Sequence, residues 1–267
     1  MQLRTALFLL SFGTIGIVTA IPQTQETPSD RVSVPILIYH SIRPYRTTDL
    51  GWVRKYITTP EALDQEFAYL KAGGYESIGF EDLENRLKSG KALPRKPVII
   101  CFDDGPETQY VYALPLLKKY SFIATFFLFT NAVGRKNYLS WDQVLQLSAD
   151  GMQIGCHSMF HPYLTQIGNE KDLWREIAGS KERLEAHLGK PVTAFAYPFG
   201  QYNNHIVDLV KKAGYGCARG TYPGIVHSEE DLFTLTGLIR TATLKSLIAS
   251  LQDSEDKANE NTTTDRS

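Results

Sequence analysis

The chain has only three cysteines, Cys101, Cys156 and Cys217, among 267 residues. They are far apart, none forms a Cys-x-x-Cys pair, and each sits in an apolar, strand-like context. A disulfide framework is therefore not implied, and buried free thiols are expected. Charge of one sign is also missing: 28 Lys and Arg face 29 Asp and Glu, a net charge of −1. That balance gives no basic field for nucleic acid and no reason to expect an acidic polymer as partner. No repeat of fixed period is visible. Beyond the first twenty residues no apolar run is long enough to span a bilayer, and no cysteine follows that first run, which argues against a lipoprotein anchor. The His-Glu-x-x-His pattern of zinc proteases is absent as well, because the residue after His157 is Ser158.

What is present begins with a 43% hydrophobic composition, enough for one large core. Arg4, the apolar run Ala6–Val18 and the small residues Val18-Thr19-Ala20 read as an export signal or an uncleaved anchor over residues 1–20. A polar linker over 21–31 leads to a domain at 32–252. The tail 253–267 has almost nothing to bury and is expected to be disordered. The domain is thus expected to work outside the cytoplasm, with no stable membrane insertion beyond the N-terminal segment.

From Arg31 onward, apolar strand-like segments alternate with helical ones. Strands are predicted at 34–40, 98–102, 123–129, 152–156, 193–197, 215–218 and 235–240. Helices are predicted at 60–70, with Thr58 and Glu61 at capping-box spacing, and at 81–88. Others are predicted at 109–120 with a bend at Pro115, 140–148 with a Ser140–Gln143 capping box, 169–188, 204–213 and 244–251. This alternation argues for a mainly parallel α/β sheet, open or closed into a barrel. The chemistry-bearing residues fall just after strands: His40, Asp103 with Asp104, His157, Pro198-Phe199-Gly200 and Arg240. In parallel α/β folds that is where sites gather, and it favours a barrel-like arrangement.

Two constellations stand out. Val98 to Phe102 runs into Asp103-Asp104-Gly105-Pro106. Side chains alternate in a strand, so the two acids can share one site only if the chain leaves the sheet between them. His157 and His161 are four apart, and on a helical turn both imidazoles would lie on one face and bind one ion. Two histidines need at least one further protein ligand, and a carboxylate ending a neighbouring strand is the natural third.

Phe102-Asp103-Asp104-Gly105, His157-Ser158-x-x-His161 and Phe195-Ala196-Tyr197-Pro198-Phe199-Gly200 resemble, in this order, three motifs of the polysaccharide deacetylases of carbohydrate esterase family 4 (the NodB-homology domain). The opening Pro35 to Ile42 is similar to the exported subgroup that includes the poly-β-1,6-N-acetylglucosamine deacetylases. The resemblance covers about Val34 to Arg240. It implies a single domain with a distorted (β/α) barrel of about seven strands, and a metal-dependent hydrolase removing acetyl groups from N-acetylglucosamine units of an extracellular or cell-wall polysaccharide. It assigns Asp104, His157 and His161 to a divalent metal, zinc first, with cobalt or nickel as other fits. Asp103 becomes the general base, and the backbone N–H of Phe199 stabilises the oxyanion. The motif's usual arginine, which orients the aspartate, is replaced by Ala196, and Arg240 is the expected substitute. No histidine cleanly matches the general acid: His227 reads as solvent-exposed, and His40 is better positioned. Among aromatics at strand ends (Tyr39, Trp141, Tyr163, Tyr197, Phe199 and Tyr222), Tyr197 and Tyr163 are expected to face a sugar. An O-acetyl esterase on the same metal site and a non-catalytic glycan-binding protein are the alternatives.

Overall fold

The central sheet grows outward from the strand that carries the aspartates. The computed structural model describes residues 31–240 and 244–252; the expected export segment, linker and tail lie outside the described residues. The sheet strands are β1 (Ile36–Tyr39), β2 (Glu76–Ser77), β3 (Pro97–Phe102), β4 (Thr125–Leu128), β5 (Gln153–Cys156), β6 (Ala194–Ala196), β7 (Cys217–Arg219) and β8 (Leu238–Ile239). Their order is β7-β6-β5-β4-β3-β1-β8, with β2 alongside the first half of β3. Every pairing is parallel. The sheet curls, and the segment after β7 links its two edges. Ala218 N donates to Leu232 O at 2.8 Å, Leu235 N donates to Ala218 O at 3.0 Å, and Arg240 N donates to Ile38 O at 2.7 Å. The path of seven parallel strands is the distorted barrel, in one domain, that the resemblance implies, and it meets the expectation of a mainly parallel sheet drawn from the alternation of elements.

Side-chain parity divides the core in two. Ile36, Ile38, Ile99, Cys101, Phe127, Ala194, Ala196 and Cys217 face the barrel interior. Leu37, Tyr39, Val98, Ile100, Phe102, Phe126 and Leu128 face the surrounding helices. Helix α1 (Pro60–Ala72) contributes Leu63, Phe67 and Leu70 to the outer cluster. Helix α2 (Phe80–Ser89) turns Phe80 and Leu83 toward the interior, and Phe80 N donates to Gln153 at the start of β5, so α2 covers the N-terminal mouth. All three cysteines are free and buried.

The structure departs from the sequence reading at several places. The N-cap of α1 is Thr59, whose hydroxyl accepts from Ala62 N, not Thr58. The helix expected over 109–120 starts as a π turn at Gln109–Ala113 before Leu114–Tyr120, which gives room where the Pro115 ring would meet a carbonyl four residues back. The long helix is likewise interrupted, with Arg175–Gly179 in π geometry between Glu170–Trp174 and Ser180–Leu188. The Ser140–Gln143 capping box forms as expected. A short strand, Arg31–Ser33, pairs antiparallel with Val226–Ser228, which buries His227 completely and brings its Nε2 to 2.9 Å from Val34 O. His227 is therefore a buried structural imidazole and not the exposed loop residue expected.

At the end of β3 the chain leaves the sheet through two successive left-handed residues, Asp104 (φ 71°) and Gly105 (φ 70°), and a Cβ on Gly105 would come within 2.7 Å of Leu128. Gly105→Ala is expected to destabilise the protein by about 1–3 kcal/mol. The measurement is a urea midpoint that falls with an unchanged slope.

Candidate metal centre

Four side chains reach the C-terminal mouth of the barrel because they continue the interior parity of their strands. His40 follows Ile36 and Ile38, Asp103 follows Ile99 and Cys101, and Arg219 follows Cys217. His157 follows Gly155, whose missing Cβ makes room for the Phe127 ring. Asp104 has the opposite parity, and its left-handed backbone returns its carboxylate to the same opening.

There Asp104 Oδ1 lies 3.4 Å from His161 Nε2 and 3.7 Å from His157 Nε2, and the two Nε2 atoms are 3.1 Å apart. A tetrahedral zinc ion about 2.0–2.2 Å from each donor needs donor spacings of roughly 3.3–3.6 Å. The observed triangle fits such an ion, and these three are a possible metal-holding set among the described residues. His157 Nδ1 lies 2.7 Å from Ala196 O. A carbonyl can only accept, so Nδ1 carries the proton and the Nε2 lone pair faces the triangle. Burial lowers the pKa of His157 to about 3 and also lowers that of His161, which keeps both imidazoles neutral and able to ligate. Burial, with the Asp103 charge adding to it against His40 and Arg219, raises Asp104 to about 6.

The histidine pair does not sit on a helix. Residues 157–161 form a bent loop in which Ser158 (φ 65°) and His161 (φ 59°) are left-handed. Buried Glu176, carried by the π turn, holds that loop by accepting from Met159 N at 3.0 Å and Phe160 N at 2.9 Å.

Asp103 is only 2% exposed, and its Oδ1 accepts from Arg219 Nη2. The Arg219 guanidinium is fully buried and lies over the Phe127 ring, 4.6 Å from its centroid. Burial alone would push the Asp103 carboxyl up, but the neighbouring charges, the Arg219 guanidinium first among them, outweigh it and hold the pKa below the ordinary carboxylate value. Asp103 Oδ2 stands 4.0 Å from His40 Nε2. Gln109 ties the two strand ends together, donating to Asp103 O at 2.6 Å and His40 O at 2.8 Å.

Arg240 does not take the position expected of it. Its side chain lies on the helix-facing side of the sheet, where Nη2 donates to Glu66 at 2.7 Å and Tyr39 donates to the same carboxylate at 2.7 Å. The cause is parity: β8 turns Leu238 toward the outer cluster, and Arg240 follows it. The cation on Asp103 is Arg219. In parallel register Arg219 pairs with Ala196, the motif position that lacks the arginine. The sequence reading missed Arg219 because its strand was ended at Ala218. Cys217-Ala218-Arg219-Gly220 nonetheless carries the same pattern, an apolar strand running into a polar residue, as the strands before His40 and His157.

The surrounding cleft encloses about 560 Å³ and is lined in part by His40, Asp103, Asp104, His157, His161 and Phe199. Phe199 is left-handed (φ 57°) and half-exposed, its ring edge-on to His161 (4.6 Å) and stacked on Tyr163 (3.9 Å). Tyr197 borders the cleft but is fully buried, with its hydroxyl donating to Phe233 O at 3.0 Å. Trp141 stacks on His187 (3.6 Å) and does not line the cleft.

Residues 90–218 match the polysaccharide deacetylase family. The chain is 27% identical over 202 residues to YxkH of Bacillus subtilis, a candidate polysaccharide deacetylase, covering 76% of this chain and 69% of that one. It superposes on the Streptococcus pyogenes deacetylase PplD in complex with acetate with a TM-score of 0.74 and 27% identity, covering 82% of this chain and 98% of that one. In motifs and fold the chain is similar to the polysaccharide deacetylases. It is also similar to the poly-β-1,6-N-acetyl-D-glucosamine N-deacetylase of Staphylococcus aureus, 26% identical over 175 residues, covering 61% of this chain and 60% of that protein's length. No helix among the described residues is long and apolar enough to cross a membrane.

Two predictions follow from the charges. The Asp103–Arg219 pair depresses a carboxyl pKa, so its contribution to stability is complete above the ordinary carboxylate range and is lost as pH falls below that range through the lowered folded-state pKa of Asp103. Arg219→Met leaves a buried, unpaired carboxylate and is expected to cost about 3–5 kcal/mol at neutral pH. Burial then raises Asp103, so the loss should shrink on acidification; urea melts across pH read this, and an equal loss at every pH would refute it. An ion held by Asp104 would have to displace a proton from it below about pH 6. Zinc affinity, measured by competition with a chelating dye, is expected to be flat above that value and to fall below it with a slope of one proton per ion.

Proposed function

We propose that the protein is a metal-dependent hydrolase that removes N-acetyl groups from N-acetylglucosamine units of an extracellular or cell-wall polysaccharide. The observation that carries this reading is the division of two adjacent acids: Asp104 joins His157 and His161 in a donor triangle, while Asp103 stays outside it, ionised and close by. Two imidazole nitrogens and a carboxylate oxygen suit zinc first, with cobalt or nickel as other fits. When bound, the ion supplies Lewis acidity, polarising a carbonyl and acidifying water.

The chain's own residues supply the rest. Arg219 occupies Oδ1 of Asp103, which leaves Oδ2 to accept a proton from water as the water oxygen attacks the acetyl carbon. The Phe199 backbone N–H, presented by a left-handed turn, donates to the oxygen that gains charge. The C–N bond then breaks, and the departing nitrogen needs a proton, because an amine anion is a very poor leaving group. His40 lines the cleft with its Nε2 4.0 Å from Asp103 Oδ2 and is the proton donor in this reading. Tyr163, stacked on Phe199, offers a flat apolar face to the sugar, whereas Tyr197 acts from beneath as packing. The apolar segment 6–18 supports export, which would bring the protein to its polymer.

Purified, metal-loaded protein is expected to release acetate from N-acetylated glucosamine polymer, and a chelator is expected to stop this reversibly. Asp103→Asn should keep its metal and lose about 10²–10⁴-fold in turnover. Unchanged turnover in that variant would remove Asp103 from the base role. Release from O-acetylated xylan with none from N-acetylated polymer would make the protein an esterase.

A further inference from the structure

Immediately after His40 the chain leaves the barrel and returns beside it at Tyr56. The excursion is fastened at its base, where Ser41–Ile42 pairs in parallel with Ile57–Thr58 and Ser41 N donates to Tyr56 O at 3.0 Å. It is fastened again inside, where Arg43 forks onto Asp49 at 2.8 and 2.9 Å and Asp49 also accepts from Arg46 N at 2.6 Å. Its short helix, Gly51–Arg54, buries none of its residues, so its side chains add nothing to the core. Yet that helix carries Trp52 to the wall of the cleft that holds Asp104, His157 and His161, and leaves it 65% exposed. Tyr56, 38% exposed, lines the same wall and stands edge-on to His40 at 5.1 Å.

Large aromatic rings exposed to water at the rim of a polar cleft suit a ligand with both apolar and hydroxylated faces. A pyranose ring is such a ligand: its C–H face stacks on the indole while its hydroxyls stay solvated. One aromatic pair, Phe199 stacked on Tyr163, stands beside His161, while Tyr56 stands beside His40 and Trp52 lines the same cleft. The reacting position lies among those histidines, so Trp52 and Tyr56 are available to a neighbouring sugar of the same chain. We propose that Trp52, on the same cleft wall as Tyr56, is a stacking platform for a sugar unit adjacent to the one being deacetylated, so that the protein selects oligomers over single N-acetylated sugars. This rests on the deacetylase reading given above.

The test uses metal-loaded full-length protein with β-1,6-linked N-acetylglucosamine oligomers of increasing length. Wild-type kcat/KM is expected to rise with length. Trp52→Ala is expected to lower the ratio of long-oligomer to monomer kcat/KM by about tenfold, chiefly through KM, while Trp52→Phe keeps most of it. Leu50→Ala, a similarly exposed change that does not line the cleft, should leave the ratio alone. Trp52→Ala should also keep the wild-type thermal midpoint, which separates lost stacking from lost fold. A wild type with no length dependence, or a Trp52→Ala protein with the wild-type ratio, overturns the platform. A wild type that releases no acetate from any oligomer overturns the deacetylase reading instead.

Discussion

Adjacent carboxylates on a straight strand point to opposite faces, so Asp103 and Asp104 can work together only because the backbone turns left-handed between strand and loop. The turn gives each acid its own environment. Asp103 stays in the barrel interior against a buried guanidinium, and Asp104 swings toward two imidazoles. Had the strand continued, Asp104 would have pointed toward the helix-facing cluster with Phe102 and Leu128, away from His157 and His161. The rest of the site is arranged around that division.

Left-handed backbone at residues other than glycine costs of order 1–3 kcal/mol where the surroundings must enforce it. Among the described residues six non-glycine positions have positive φ, and four of them are Asp104, Ser158, His161 and Phe199. Asp104, His161 and Phe199 line one opening and Ser158 lies in the loop that carries His161, so the strain is concentrated around the candidate donor atoms. It is held in place by contacts that look incidental elsewhere in the fold: Glu176 on the loop amides, Gln109 across two strand ends, and Leu139 N donating to Gly105 O at 3.0 Å.

Much of this was legible in the residues. A strand buried on both faces is a run of apolar side chains, and a polar residue at its end marks the mouth of a parallel barrel; His40, Asp103 and His157 follow from that rule alone. The capping box at Ser140 is a local interaction and was read correctly for that reason. What escaped depended on distant partners. Four-residue spacing suggested a helix for the histidines, but Glu176, fifteen or more positions away in sequence, captures the amides a helix would use. His227 sat among polar neighbours, yet pairing with Arg31–Ser33 buries it. Arg240 ends a strand as the rule demands, and parity alone sends it to Glu66 on the other face.

The exchange of arginines makes the same point in physical terms. The motif position that would carry an aspartate-orienting cation is Ala196, and its in-register partner on the next strand is Arg219. Neighbouring strands are about 4.8 Å apart, a gap that a guanidinium on three methylenes can cover from either side. Both positions point into the barrel, and the absence of a side chain beyond Cβ at Ala196 leaves room there for the group arriving from β7. The constraint is therefore on the location of charge inside the lumen and not on the strand that delivers it. A sequence pattern records one solution to that constraint. The fold admits any residue whose parity and reach bring a cation to Asp103 Oδ1, and the paired register of β6 and β7 supplies it here.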